Sequence, residues 1–261
     1  MSMNLNHRIA VVTGASAGIG AATARQIASD GAAVVLNARR AERLEQIARE
    51  INTETGREAA TTAPGNCAEP EVIESLFTKA QDAFGRPADL VVVNAGRGLD
   101  GSILTSDPDQ WEEMIRTNYL GAARLMRAAA EHLLAAVPEG DQWQNHPRDI
   151  VVLGSVVGRN VSPFSSAYGS TKFAVHGLAE GLRREIGPKG IRVTLIEPAF
   201  VVSEFQGVAG YDEDWVNAVF DKIGPVLEPA DIARTIAFIT SQPPRVHLSE
   251  AMIRPTRQDY P

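Results

Sequence analysis

The sequence predicts an α/β fold on a parallel sheet, and three observations carry that prediction. Five short runs are continuously apolar: "RIAVVTG", "AAVVLNA", "ADLVVVNAG", "RDIVVLGS" and "IRVTLIEP". Alternation marks a strand with one wet face, whereas unbroken Val, Ile and Leu mark a strand buried on both. Between consecutive runs lie stretches with helical periodicity, the order that builds βαβ units. The first run also ends in a glycine-rich turn that opens a helix.

The chain has 261 residues with 44% hydrophobic and 22% charged, the balance of one large globular domain spanning 1–261. A formal net charge of -7 argues against nucleic acid as a partner. Cys67 is the single cysteine, so no intramolecular disulfide framework exists, which fits a reducing cytoplasm. "MSMNLNHR" lacks the apolar centre of a signal peptide, and no apolar run reaches membrane-spanning length. The expectation is a cytoplasmic protein with no membrane partner.

Along the chain, the first strand leads into "VVTGASAGIGAATARQIA". Glycine turns the backbone sharply and admits a ligand close to it. The helix that follows offers unpaired N–H groups and a positive dipole end, which suits a pyrophosphate. The plain alternative is a tight βα turn, but strand before and helix after favour a dinucleotide. Gly14, Ser16, Gly18, Ile19 and Gly20 are the candidates here.

The second strand ends in "LNARRAERL". A site for NAD expects an acid there to bind the ribose hydroxyls, and none is present. Arg39 and Arg40 stand instead, with guanidinium forks suited to a 2′-phosphate and Ser16 as a further donor. The alternative is a solvated helix start in which they pair with Glu42 or Glu45. Arginine opposes the dipole at a helix start, so a ligand is the better reason, and the cofactor reads as NADP(H).

"GREAATTAPG" is a weaker strand, followed by the helical "EPEVIESLFTKAQDAF". The next strand ends at Asn94, Ala95 and Gly96, where the backbone would pass the cofactor; the alternative is a simple turn. "SDPDQW" caps a helix with Pro108 in its first turn. The polar loop 137–149 is long for such a connection and reads as a surface insertion. "VVLGS" ends a strand at Ser155, thirteen residues before Tyr168. In "YGSTK", Tyr168 and Lys172 share a helix face. The phenol is too weak an acid for base work near pH 7 unless a cation lowers its pKa, and Lys172 is placed to do so. "IGPKGIRV" ends that helix at Gly187 and Pro188, and "SEAMIRPT" is a candidate last edge strand.

These motifs, in this order and spacing, resemble those of the classical short-chain dehydrogenase/reductase family, in its NADP-preferring branch. The resemblance is clearest from Arg8 to Pro198. It implies a Rossmann-like, doubly wound, seven-stranded parallel sheet and a catalytic tetrad of Asn118, Ser155, Tyr168 and Lys172. It makes Tyr168 the acid/base, Ser155 the group that orients the substrate oxygen, and Lys172 both ribose ligand and tuner of the phenol. Asn118 is implied to hold a water of a proton relay. Asn66 and Cys67 fall where the adenine is held, and Pro198, Val201 and Ser203 where the nicotinamide is covered. Asn66, Val93, Gly154 and Ala199 each depart from the residue the family most often has there. Residues 199–225 correspond to the family's substrate loop, and the family commonly forms a homodimer or homotetramer through its long helices.

The implied reaction interconverts a secondary alcohol and its ketone or aldehyde. Val157, Phe164, Phe200, Phe205 and Tyr211 would give the substrate an apolar pocket. Arg159 would bind a substrate carboxylate or lie on the surface. The competing readings are a 3-oxoacyl thioester reductase and a protein that senses NADP without turnover. The five histidines show no metal-ligand spacing, so no metal is expected, and His176 reads as helix packing.

Overall fold

The computed structural model describes residues 3–136, 143–160 and 162–260. Among them, the elements run β1 (Ile9–Thr13), α1 (Gly18–Ser29), β2 (Ala33–Asn37), α2 (Ala41–Thr55), β3 (Ala60–Thr62), α3 (Pro70–Phe84) and β4 (Leu90–Val93). They continue through α4 (Trp111–Ile115), α5 (Ala122–Ala135), β5 (Asp149–Leu153), α6 (Ser166–Ile186) and β6 (Arg192–Pro198). The last are α7 (Phe205–Ala209), α8 (Glu213–Ile223), α9 (Pro229–Thr240) and β7 (Glu250–Ile253). The 7-stranded sheet has the order β3-β2-β1-β4-β5-β6-β7, and every pairing is parallel.

The unbroken apolar runs are strands covered on both faces. Because successive side chains alternate, β1 sends Ala10 and Val12 to one layer and Ile9 and Val11 to the other. The first layer carries Ile27 of α1, Leu44 and Ile51 of α2, and Ile236 of α9. The second carries Leu76 of α3, Leu125 and Leu133 of α5, and Val175 of α6. Reversal of strand order between β2-β1 and β1-β4 opens a crevice above the carboxyl ends of β1 and β4.

The opposite edge of the sheet is tied by charge. Asp149, at the start of β5, takes Nε and Nη2 of Arg192 at 2.7 and 2.8 Å and Nη2 of Arg8 at 2.8 Å. Arg8 also reaches Asp89 at 2.6 Å. Asp149 is 1% exposed and the two arginines hardly more, so each charge depends on its partners for neutralisation.

Both weak strand candidates form: Ala60–Thr62 is β3 and Glu250–Ile253 is the edge strand β7. The end of α6 differs from expectation. Gly187 keeps a helical φ of -56, because Pro188 is compatible with one further tight turn over Gly187–Lys189. The left-handed residue is Gly190, φ 82, whose missing Cβ leaves room for the side chain of Trp143. Of the loop 137–149, residues 137–142 lie outside the described residues; Trp143–Asn145 form a short 3-10 turn.

Removing the central carboxylate would leave two buried guanidinium groups facing each other. Asp149→Ala is expected to lower unfolding stability by about 3–5 kcal/mol, the range for breaking a buried ion pair. Denaturant unfolding of the two proteins checks this; a loss below 1 kcal/mol, the scale of an exposed ion pair, would refute it.

Candidate active site

A cavity of 790 Å³ lies over the carboxyl ends of β1, β4, β5 and β6. At its floor is the turn from β1 into α1. Gly14 and Gly18 have φ of 65 and 53, and a Cβ on Gly14 would stand 2.6 Å from Nδ2 of Asn94. Asn94 staples the ends of two strands: its amide nitrogen donates to the Thr13 hydroxyl at 3.1 Å and its Nδ2 to the Thr13 carbonyl at 2.8 Å. Ala17 caps α1 without a side-chain hydrogen bond, so the helix start keeps its donors for a ligand. Gly20 is not in the cavity wall. A Cβ there would stand 2.3 Å from the Gly14 carbonyl, so this glycine lets α1 start close against the turn.

At one end stand the two arginines. Arg40 donates from Nε and Nη2 to the Ser16 hydroxyl at 3.2 and 3.0 Å. Its Nη1 reaches Glu204 at 3.0 Å, and Arg43 reaches the same carboxylate at 2.9 Å. Arg39 pairs with Glu113 at 3.3 Å. The carboxylates that face the arginines therefore come from α4 and the segment after β6, not from Glu42 or Glu45. Asn66 lines the wall, with Oδ1 accepting from the Ala68 amide at 3.1 Å ahead of α3. Burial pushes the adjacent Cys67 thiol up to about 11.

Tyr168, Ser155 and Lys172 meet in the same cavity wall. Ser155 follows β5, and its hydroxyl stands beside the Tyr168 phenol, with long contacts of 3.5 Å to the Pro198 carbonyl and 3.4 Å from the Val157 amide. Lys172 is 7% exposed, and its Nζ donates to the Leu153 carbonyl at 2.7 Å. The ammonium lies 5.9 Å from the centre of the Tyr168 ring. Burial brings Lys172 down to about 8. The phenol differs from expectation. Burial drives the Tyr168 pKa well above its ordinary value, reinforced by the nearby Tyr211 phenol, and a hydrogen bond with Ser155 only partly opposes them. Desolvation dominates, so Tyr168 is protonated at neutral pH.

Asn118 sits behind the wall in a π-helical stretch, Arg116–Gly121, between α4 and α5. Its Nδ2 donates to the Arg97 carbonyl at 2.8 Å and to the Thr171 hydroxyl at 3.1 Å, and its Oδ1 accepts from the Arg97 amide at 2.8 Å. Gly96 lies between this amide and Lys172, with an added Cβ 3.3 Å from Asn118 Oδ1 and 3.9 Å from Lys172 Nζ. The carboxamide thus joins the turn after β4 to the residue before Lys172.

Pro198, Val201 and Ser203 line the cavity, as do Ile19, Ala95 and Gly96. The segment after β6 folds into α7 and α8, and its Ser203 comes back over Gly18, 3.4 Å from where a Cβ would be. Val157, Phe164, Phe200, Phe205 and Tyr211 all face the cavity. The Phe205 ring stands edge-on to Tyr168 at 5.5 Å, and Trp215 packs against Phe200 and Tyr211 at 6.3 and 5.6 Å. Arg159 takes the surface alternative: its side chain is 41% exposed, donates to buried Glu197 at 2.8 Å and pairs with Glu250, joining the turn after Ser155 to β6 and β7. Ser162 and Ser165, in the stretch 156–168 from which the sequence reading builds the pocket, line the wall; that reading missed the tail residues Gln258, Asp259 and Tyr260, which close it. Gln258 accepts from the Phe200 amide at 3.4 Å, a contact across the fold that leaves no local pattern.

Among the described residues no helix is long and apolar enough to cross a membrane, and no group of three or more His, Cys, Asp or Glu could hold a metal ion. The family model for the short chain dehydrogenase matches residues 8–214. The chain is 32% identical over 253 residues to an uncharacterized oxidoreductase of Staphylococcus saprophyticus, covering 97% of this chain and 99% of the relative. In structure it is similar to an alcohol dehydrogenase of the archaeon Thermococcus sibiricus complexed with 5-hydroxy-NADP (TM-score 0.81, 30% identity, 97% and 99% of the two chains). It is also similar to a serine dehydrogenase complexed with NADP+ (TM-score 0.80, 27% identity, 97% and 96% covered).

The lysine gives a pH test. Its folded pKa of about 8 is depressed below the ordinary 10.5, so its stabilising share is complete above pH 10.5 and lost as pH falls through about 8. Lys172→Met is therefore expected to gain stability relative to the unmodified protein as pH falls from 10.5 to 8. Denaturant unfolding across that window checks it, and a constant gap between the two proteins would sink it.

Proposed function

The chain is an oxidoreductase of the short-chain dehydrogenase family, and from that premise we propose that it interconverts a secondary alcohol and its ketone or aldehyde using NADP(H). One observation carries the reading. A single cavity has the Arg40–Ser16 pair beside the glycine turn at one end and Tyr168, Ser155 and Lys172 in its wall.

The residues present fit the cofactor. The left-handed Gly14 and Gly18 open the backbone where a pyrophosphate would lie, and α1 presents its start there. Arg39, Arg40 and Ser16 are suited to a 2′-phosphate; Asn66 and Cys67 would flank the adenine. Asn94, Ala95 and Gly96 pass along the ribose side, and Pro198, Val201 and Ser203 cover the nicotinamide side. The complexes of the alcohol dehydrogenase and the serine dehydrogenase with NADP forms support the same choice. When bound, NADPH supplies a hydride to the carbonyl carbon.

The chain's own residues supply the proton. Tyr168, held protonated by burial, gives its phenolic proton to the carbonyl oxygen and is left as phenolate. Ser155 Oγ, beside the phenol, donates a hydrogen bond to the same oxygen. The Lys172 ammonium lowers the energy of the phenolate, and a pKa near 8 lets it return a proton at neutral pH. In the direction of alcohol oxidation the same groups act in reverse. Asn118 fixes the Arg97 backbone relative to Thr171, and so the Asn94–Gly96 turn relative to Lys172. The aromatic wall of Phe200, Phe205, Tyr211 and Trp215 favours a substrate with an apolar flank. Pairing of copies through the long helices α5 and α6, as a homodimer or homotetramer, belongs to the same proposal.

Loss of NADPH absorbance with a panel of ketones, semialdehydes, β-keto acids and 3-oxoacyl thioesters tests the reaction. Tyr168→Phe is expected to lower kcat by about a hundredfold to ten-thousandfold, the worth of a positioned proton donor, with NADPH binding retained. Equal turnover in the variant would overturn the role. Arg40→Ala is expected to weaken NADPH binding by about 10- to 100-fold, the range for a hydrogen bond to a charged group, and NADH binding far less. Calorimetric titration with both nucleotides decides, since equal losses would exclude a 2′-phosphate contact.

A further inference from the structure

The backbone at Ser155 sets where its hydroxyl stands beside the Tyr168 phenol. That backbone leaves the sheet at this point. The Gly154 amide makes the ladder bond, 2.8 Å to the Ile196 carbonyl, and the next donor, Ser155 N–H, has no strand to meet. It donates to Nε2 of His176 at 3.2 Å. A buried N–H without an acceptor is costly, and the imidazole meets that need.

The ring is seated for this contact. A Cβ on Gly154 would stand 2.3 Å from Nε2, and one on Gly158 would stand 2.4 Å from both Nε2 and Cε1. Two glycines on either side of Ser155 therefore make the slot that the ring fills. Three charged groups face the ring. Glu197 of β6 lies 3.8 Å from Nδ1, and Arg159 neutralises Glu197 and pairs in turn with Glu250 of β7. Lys172 stands one turn earlier on α6. Burial, then Lys172 and Arg159, bring the His176 pKa down to about 4, so the ring is neutral and Nε2 can accept.

We propose that His176 is a positioning residue, which holds the Ser155 backbone, and with it the hydroxyl, at the substrate oxygen. The role rests on the oxidoreductase reading above. It ties α6, which carries Tyr168 and Lys172, to the end of β5, which carries Ser155, so the three groups keep one spacing.

The test compares His176→Leu, which removes the acceptor, with His176→Gln, whose side-chain oxygen can replace Nε2. His176→Leu is expected to lower kcat by about tenfold or more, the scale on which misplacing a catalytic group is felt, while NADPH binding and KM change little. His176→Gln should recover most of the loss. In a Ser155→Ala background, His176→Leu should cause no further loss, because the ring acts through Ser155. Unchanged kcat in His176→Leu, no recovery in His176→Gln, or an additive double variant would each overturn the proposal. Ring 15N spectra decide the contact without turnover: Nε2 must be the bare nitrogen at pH 7, and a ring protonated on Nε2 would overturn it. A native protein that reduces no carbonyl would overturn the oxidoreductase reading too; an active one with an unaffected His176→Leu overturns this inference alone.

Discussion

A buried ammonium bonded to one main-chain carbonyl organises the site. Lys172 Nζ reaches the Leu153 carbonyl at 2.7 Å, and this bond pins helix α6 to the carboxyl end of β5. Everything proposed for the chemistry is referenced to that point. Tyr168 lies one helical turn back on the same face, and Ser155 lies two residues on in the chain. The same burial that makes the bond strong lowers the lysine pKa and raises that of the phenol, so the two move apart: the resting phenol keeps its proton, and a phenolate left by proton donation can draw one from the ammonium.

Stability and chemistry sit at opposite edges of the sheet. The Arg8, Asp89, Asp149 and Arg192 network lies where β1, β5 and β6 begin, and the cavity lies where they end. Parallel strands force this division, because all their carboxyl ends meet on one side. The charged network fixes the strands to one another without placing a charge near the reacting groups. A second ionic tie, Arg159 with Glu197 and Glu250, holds the turn after Ser155 against β6 and β7.

The segment after β6 connects the two halves of the cavity. Its Glu204 faces Arg40 and Arg43 at the arginine end, and its Phe205 stands edge-on to Tyr168. One stretch of chain therefore covers both the glycine turn and the aromatic pocket. The arginines at the start of α2, unfavourable to the helix dipole, are matched by carboxylates from distant elements. Exposed pairs of this kind are weak, so an anion with better geometry can replace those carboxylates.

The sequence by itself determined the strand order of events: apolar runs dictate strands buried on both faces, glycine spacing dictates the βα turn, and Tyr168 and Lys172 share a face because a helix has a fixed period. Those are local constraints, and local pattern expresses them. It also placed Ser16 with Arg40, because both follow neighbouring strands. Tertiary structure alone decided what depends on long-range packing. Burial, which no motif records, turned the phenol pKa upward. The acidic partners of Arg39 and Arg40 arrive from residues far along the chain. His176 looked like helix packing until the fold brought its ring between Gly154 and Gly158, and the tail around Gln258 closes the cavity through contacts across the fold. Such effects need two segments to meet, and desolvation and hydrogen bonding are set only once they do.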